Sequence, residues 1–262
     1  MQLVQTPDNP MPSKPVVVQV TARDGVHLRV ARWRPTTRRV RGTVCILQGR
    51  AEFIERYFET IIELRRRGFA VVAFDWRGQG GSDREVANPR KGHVRDFSHY
   101  RRDLEAVATE VLQPLMPKPH FALAHSMGAA IALWGAREGW LPFERLVATA
   151  PMLELCLIRV TNMTRATARI LRWLGFGRSF VPGGGETPLS TKPFEGNRLT
   201  SDPRRYARNA ALATAVGEAA IGDPTISWSD AAFRLMNRFR DPRFPIEIRI
   251  PTLIIAAGAD AI

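Results

Sequence analysis

Residues 121–137 read Phe-Ala-Leu-Ala-His-Ser-Met-Gly-Ala-Ala-Ile-Ala-Leu-Trp-Gly-Ala-Arg, and the reading of this stretch decides the fold. It opens as a short apolar run of strand length and continues as small and apolar residues at helical spacing. Ser126 lies at the joint. A strand that turns straight into a helix bends sharply, and small residues are needed two positions either side of the bend. Ala124 and Gly128 meet that need. Such a bend holds the Ser126 hydroxyl out over the sheet edge. The Met127 N–H, at the helix start, then points at a developing oxyanion, where the helix dipole favours negative charge. Serine is also a common helix N-cap; the strand–turn–helix context favours a nucleophile.

Working outward, Val16–Ala22 and Val26–Trp33 flank Asp24-Gly25 and predict a hairpin. Thr43–Leu47 is a buried-strand run that stops at Gly49, and Phe53–Arg67 has helical spacing up to Gly68. Phe69–Phe74 is a further strand, followed by the glycine-rich loop Asp75–Ser82. Asp96–Leu112 is amphipathic, and prolines 114, 117 and 119 stop it. Leu146–Ala150 is the strand after the Ser126 helix. Strands alternating with helices predict an α/β fold, a mostly parallel sheet with helices on both faces after an antiparallel start. From Pro151 to about Pro245 the chain reads as helices and loops: Leu155–Trp173, Arg204–Ala220 and Ser229–Arg238. This is the pattern of an inserted helical module. Strand character returns at Leu253–Ala257. Four segments follow: a disordered or extended lead-in (1–15), core (16–151), helical cap (152–245) and core again (246–262).

The 262 residues carry a formal net charge of +13, supplied mostly by arginine, with 45 % apolar and 24 % charged residues. That balance suits a soluble globular chain attracted to something anionic. The basic residues are scattered over helical faces without a nucleic-acid motif, so nucleic acid is not expected; solvated helix faces are the plainer reading and loose contact with an anionic membrane surface the functional one. Cys45 and Cys156 stand far apart, with no Cys/His ligand spacing, so no metal is expected and a reduced chain is the simpler reading. The N-terminus has no apolar signal-peptide core, and no stretch is long enough to span a bilayer. A cytoplasmic protein, peripheral to the membrane at most, is the expectation. The Asp75–Ser82 loop lacks the Gly-Lys-Ser/Thr of a phosphate loop and reads as scaffold. No cofactor is expected.

Two further positions bear on chemistry. Gly49 follows the third strand, so the next N–H, that of Arg50, can supply a second oxyanion donor. Asp260 follows the last strand, where a carboxylate can orient an imidazole. An ordinary loop and a turn-forming aspartate are the plainer readings of these two. Histidine is the difficulty. His27, His93, His99, His120 and His125 all precede Ser126, and none follows Asp260.

At these residues the chain resembles the serine hydrolases that include monoacylglycerol lipases, bacterial lysophospholipases and proteins labelled serine aminopeptidase. The resemblance rests on Gln48-Gly49 with Glu52, Arg56 and Tyr57, on Asp75 to Ser82, on Ala124-His125-Ser126-Met127-Gly128, and on Asp260. It departs from the family pattern at Gln48, where histidine is usual, and at Ala124, where glycine is usual. The resemblance implies an α/β-hydrolase fold with a helical cap after the sixth strand. It implies Ser126 as nucleophile, Asp260 as acid and the Arg50 and Met127 N–H groups as oxyanion donors, acting on a small lipid-like ester. The family pattern continues past Asp260 with a strand, a histidine and a helix that these residues do not contain. A truncated gene product or partial sequence is the expectation. The competing readings are an inert hydrolase-like chain and, more remotely, a basic nucleic-acid binder. The cap stripe Ile158, Val160, Met163, Ile170, Leu171 and Trp173, with Arg159, Arg165, Arg169 and Arg172, is either ordinary helix packing or a roof over an acyl chain.

Overall fold

The computed structural model describes residues 2–155 and 162–258. The hairpin forms as β1 (Val16–Thr21) and β2 (His27–Trp33), paired antiparallel from Val16↔Arg32 to Thr21↔His27. Gly25 sits in the turn at φ +83°, a conformation that side chains with a Cβ resist. After β3 (Gly42–Leu47), a 3-10 turn at Ile54–Tyr57 leads into α1 (Phe58–Arg66), then β4 (Phe69–Phe74). Helix α2 (Ser98–Val107) continues through a π-helical stretch, Ala108–Leu112, into the short α3 (Gln113–Leu115). Next come β5 (His120–His125), α4 (Ser126–Glu138) and β6 (Arg145–Thr149).

Between β6 and the last strand the described residues form helices and 3-10 turns. These include α5 (Asn162–Trp173), α6 (Pro203–Ala215), capped by the Asp202 side chain on the Arg204 and Arg205 N–H groups, and α7 (Ile226–Phe239), capped by Thr225. Strand β7 (Thr252–Ile255) closes the order β1-β2-β4-β3-β5-β6-β7, antiparallel at β1/β2 and β2/β4 and parallel elsewhere.

This order carries the functional argument. The chain leaves β3 for β4 on one side, then crosses to β5 on the other side of β3. The crevice beyond the carboxyl ends of β3 and β5 is therefore the topological switch point, the usual ligand position in an open α/β sheet. Leu47 of β3 pairs with Ala124 of β5, so the loop after β3 and the bend after β5 meet there.

Both faces of the central strands are buried. Cys45, Leu47, Val72 and Phe74 face a core shared with α2, α4 and α7, while Ile46, Val71 and Ala73 pack with Phe58 and Ile61 of α1. Strand alternation produces this sorting, because successive side chains point to opposite faces. The apolar β7 lies at the sheet edge, with Leu253 56 % exposed.

The lead-in is not disordered. It lies along the core with a turn at Thr6–Asn9, Leu3 and Met11 packed against the α1 cluster and the Asn9 amide donating to the Glu55 carbonyl at 2.9 Å. Trp33 Nε1 donates to the Pro12 carbonyl as well. The prolines of this segment suit an extended path, and its few apolar side chains anchor it.

Candidate functional site

Ser126 occupies the left-handed region at φ +48°, between the extended His125 and the helical Met127. A non-glycine residue held there signals a bend that the surroundings enforce. What enforces it is visible at Gly128. A Cβ on that residue would lie 2.3 Å from the Leu47 carbonyl and 2.5 Å from that of Gln48, so α4 begins hard against the end of β3. The Ser126 carbonyl accepts from the Met152 N–H at 3.1 Å, which ties the bend to the chain after β6. Ser126 itself is half-buried. The Met127 N–H belongs to the first helical turn, where amides have no intrahelical acceptor.

The loop after β3 is fastened on either side of Arg50. Gly49 N–H donates to Glu52 Oε2 at 2.7 Å, and Ala51 N–H donates to Gln79 Oε1 at 3.2 Å. The Gln79 amide nitrogen donates in turn to the Gly49 and Glu52 carbonyls, each at 2.9 Å. Arg50 N–H, between these fixed amides, has no protein acceptor among the described residues. The same loop holds Ala51 at φ +60°. The Asp75–Ser82 segment, expected as scaffold, thus reaches the site through Gln79, a role its sequence did not disclose. The Arg50 side chain turns toward the helical region, donating to the Gly222 carbonyl at 2.6 Å and lying over the Trp228 ring. Burial there pushes its guanidinium down to about 10.

Gln48, which stands where the family pattern has histidine, is fully buried, and neither atom of its side-chain amide has a protein partner among the described residues. Its carbonyl does the holding instead, accepting from Trp76 Nε1 at 3.0 Å.

Among the described residues no histidine hydrogen-bonds the Ser126 hydroxyl. His27 contacts Thr21, His93 contacts Thr225, His99 contacts Glu85, and His120 contacts the Met116 carbonyl. His125 Nδ1 lies 3.1 Å from Thr149 Oγ1, whose hydroxyl donates to the Ala124 carbonyl; the imidazole is therefore the donor to Thr149. Its Nε2 lies 3.9 Å from Glu52 Oε1. Asp260 lies outside the described residues. Two shallow surface hollows, one beside His120 and Glu144 and one beside Gly135 and Ile250, do not include Ser126.

Glu52 is the carboxylate that holds this loop closed, accepting from the Gly49 N–H and the Tyr57 hydroxyl. Burial alone raises its carboxyl, but the charges of Arg56 and His125, the Tyr57 hydroxyl and the Gly49 N–H outweigh burial and leave it below its ordinary value. A carboxyl lowered by folding stabilises above its unfolded pKa and loses that contribution as pH falls through the folded value. Glu52→Gln is thus expected to lower stability at neutral pH by roughly 1.5–3 kcal/mol, the range for hydrogen bonds to a charged group. The gap to wild type should narrow in acid, as pH falls from the ordinary glutamate range through the lowered folded value. Urea unfolding of both proteins at the two pH values checks this, and a gap independent of pH contradicts it.

The chain matches the serine aminopeptidase S33 family over residues 38–262. It is 32 % identical over 212 residues to lysophospholipase L2 of Escherichia coli K12, covering 80 % of this chain and 61 % of that protein, so it spans about three fifths of the relative's length. It is 30 % identical over 150 residues to the monoglyceride lipase of Rattus norvegicus, 57 % of this chain and 46 % of the other. Among solved structures, a soluble variant of the Saccharomyces cerevisiae monoglyceride lipase in complex with a substrate analog aligns with TM-score 0.70 at 20 % identity, over 96 % of this chain and 81 % of that one. A thermostable carboxyl esterase from Bacillus coagulans aligns with TM-score 0.70 at 18 % identity, over 93 % and 79 %. The sheet order, the bend at Ser126 and the match over residues 38–262 together place this chain in the serine aminopeptidase S33 family, on an α/β-hydrolase fold.

Proposed function

We propose that the protein is a serine ester hydrolase that cleaves a lipid monoester, a lysophospholipid or a monoacylglycerol, through an acyl-enzyme on Ser126. The observation that carries the reading is Ser126 at φ +48° on the bend between β5 and α4, next to the end of β3, where the Arg50 N–H has no protein acceptor among the described residues. In this reading Ser126 Oγ attacks the ester carbonyl carbon and passes its proton to a base. The carbonyl oxygen becomes an oxyanion held by the Arg50 and Met127 N–H groups. Collapse expels the glycerol-side alcohol, which takes the proton, and water then releases the fatty acid. Asp260, following β7 in sequence, is the acid that would orient an imidazole. Residues 152–245 act as the cap over a core formed by 16–151 and 246–262. Peripheral contact with an anionic membrane, where lipid monoesters gather, belongs to the same reading. The relatives' names, lysophospholipase and monoglyceride lipase, support the substrate class.

The inert reading keeps one observation of its own: all five histidines have other partners in the fold. The two separate in a fatty-acid release assay with imidazole supplied as base. A lysophospholipid and a monoacylglycerol are expected to be cleaved at least about tenfold faster than a matched fatty amide, since an ester alcohol leaves more readily than an amine. Preference for the amide, or no cleavage of any of the three above the Ser126→Ala background, overturns the proposal.

A further inference from the structure

Helix α5 wears its amphipathic pattern inside out. At about 3.6 residues per turn, Met163, Ala166, Ile170 and Leu174 share one side, with Trp173 at its margin. That side faces solvent: Met163 is 76 % exposed, Ile170 56 %, Trp173 84 % and Leu174 54 %. Phe176, just past the helix, adds a further exposed ring at 54 %. The opposite side, with Ala168 and Leu171, is half-buried, and Ala168 packs on the main core. Scattered exposed apolar residues are ordinary, but five within fourteen positions form a contiguous patch that marks an interaction surface.

Charge selects the partner. From residue 155 to 185 the sequence holds five arginines and no aspartate or glutamate. Arg172 is neutralised by Asp230 at 2.7 Å, and Arg165 donates to the Phe233 carbonyl and lies over its ring. Arg169 and Arg178 are exposed and have no carboxylate partner among the described residues. Apolar side chains projecting from a helix, with unpaired cations beside them, match a surface that is apolar inside and anionic outside. The geometry points to α5 and Phe176 as the face that docks on an anionic phospholipid bilayer. Met163, Ile170, Trp173 and Leu174 enter the acyl boundary while Arg169 and Arg178 meet the headgroup phosphates. Such helices lie in the interface plane, and their binding combines apolar burial with attraction to anionic lipid.

The test is vesicle flotation of the full chain. Phosphatidylglycerol vesicles are expected to carry the protein with them, and added salt to weaken the association. Pure phosphatidylcholine vesicles should carry much less. Ile170→Asp with Trp173→Asp is expected to reduce binding to the anionic vesicles by about tenfold or more, and Arg169→Glu with Arg178→Glu to remove the preference for anionic lipid. These side chains are exposed, so the variants keep the fold, which circular dichroism checks. Ser126→Ala should float as wild type does, so docking and hydrolysis can fail separately. Equal flotation of wild type and the Ile170/Trp173 variant overturns the assignment. So does a concentration-dependent dimer in sedimentation that the same variant abolishes, which would make a second copy the occupant.

Discussion

Replacing Ser126 with alanine is expected to abolish ester hydrolysis, and the loss will be sharpest with millimolar imidazole in the buffer. The reason lies in what the site holds. A serine hydroxyl is a weak nucleophile at neutral pH until a base takes its proton. The five histidines of the chain are engaged elsewhere, His125 with Thr149 and Glu52 included. Free imidazole can approach the half-buried hydroxyl and supply a base. General-base assistance contributes roughly 10²–10⁴-fold, so imidazole should raise the wild-type rate on a p-nitrophenyl ester by about 10² over its effect on the alanine variant. Imidazole cleaves such esters by itself, and the Ser126→Ala protein measures that background. Identical rates for the two proteins at every imidazole concentration would refute the nucleophile and leave the inert reading standing.

A second large effect is expected far from any substrate. Arg29 is buried and holds two buried carboxylates at once: Glu55 through both terminal nitrogens, at 2.7 and 2.8 Å, and Asp75 through Nε at 2.7 Å. Asp75 also accepts from the Ile54 and Gly81 N–H groups, at 2.9 and 2.8 Å. Gly80 permits that approach, since a Cβ there would lie 2.1 Å from the Asp75 carboxyl carbon. The cluster fastens β2, the segment following Glu52 and the Asp75–Ser82 loop to one another. Gln79, on that loop, fixes the Arg50 amide. Arg29→Ala strands two like charges in the core, and breaking a buried pair from one side costs roughly 3–5 kcal/mol. That is a large share of a typical domain's stability. The double variant Arg29→Met, Glu55→Met removes charge from both sides and should be milder than Arg29→Ala. Denaturant unfolding of the three proteins decides it; a loss below about 1 kcal/mol for Arg29→Ala would mean that water reaches these carboxylates.

The two expectations differ in how they could be known. Ser126 was legible because its signals are local: small residues at fixed offsets, a strand before and a helix after. The hairpin at Gly25 and the end of α1 before Gly68, which adopts φ +89°, were legible for the same reason. The Arg29 cluster was not, because its members stand 26 and 46 residues apart and nothing in a charged residue's neighbours says which opposite charge the fold will bring to it. Gln79 was hidden likewise: it read as part of a glycine-rich loop, and its three bonds to the Gly49–Glu52 loop exist only because β3 and β4 are neighbours.

The cap stripe shows the same limit. Its periodicity predicted a helix, and α5 forms from Asn162. Ordinary packing does not account for the whole stripe: Met163, Ile170 and Trp173 stand in solvent, because α5 packs on α7 through its other side. Ile158, Arg159 and Val160 lie outside the described residues. Periodicity reports that a helix has two unlike faces and is silent on which one the rest of the protein covers.

By itself, then, the sequence determined the alternation of strand and helix, the bend at Ser126 and the strong positive charge, since each depends on residues within a turn or two, or on a sum over the chain. Only the tertiary structure decided what holds the loop around Arg50, which carboxylates Arg29 neutralises and which side of α5 meets water. Those outcomes depend on strand order and helix orientation, and these follow from burying one shared core, an energy spread over contacts between distant residues.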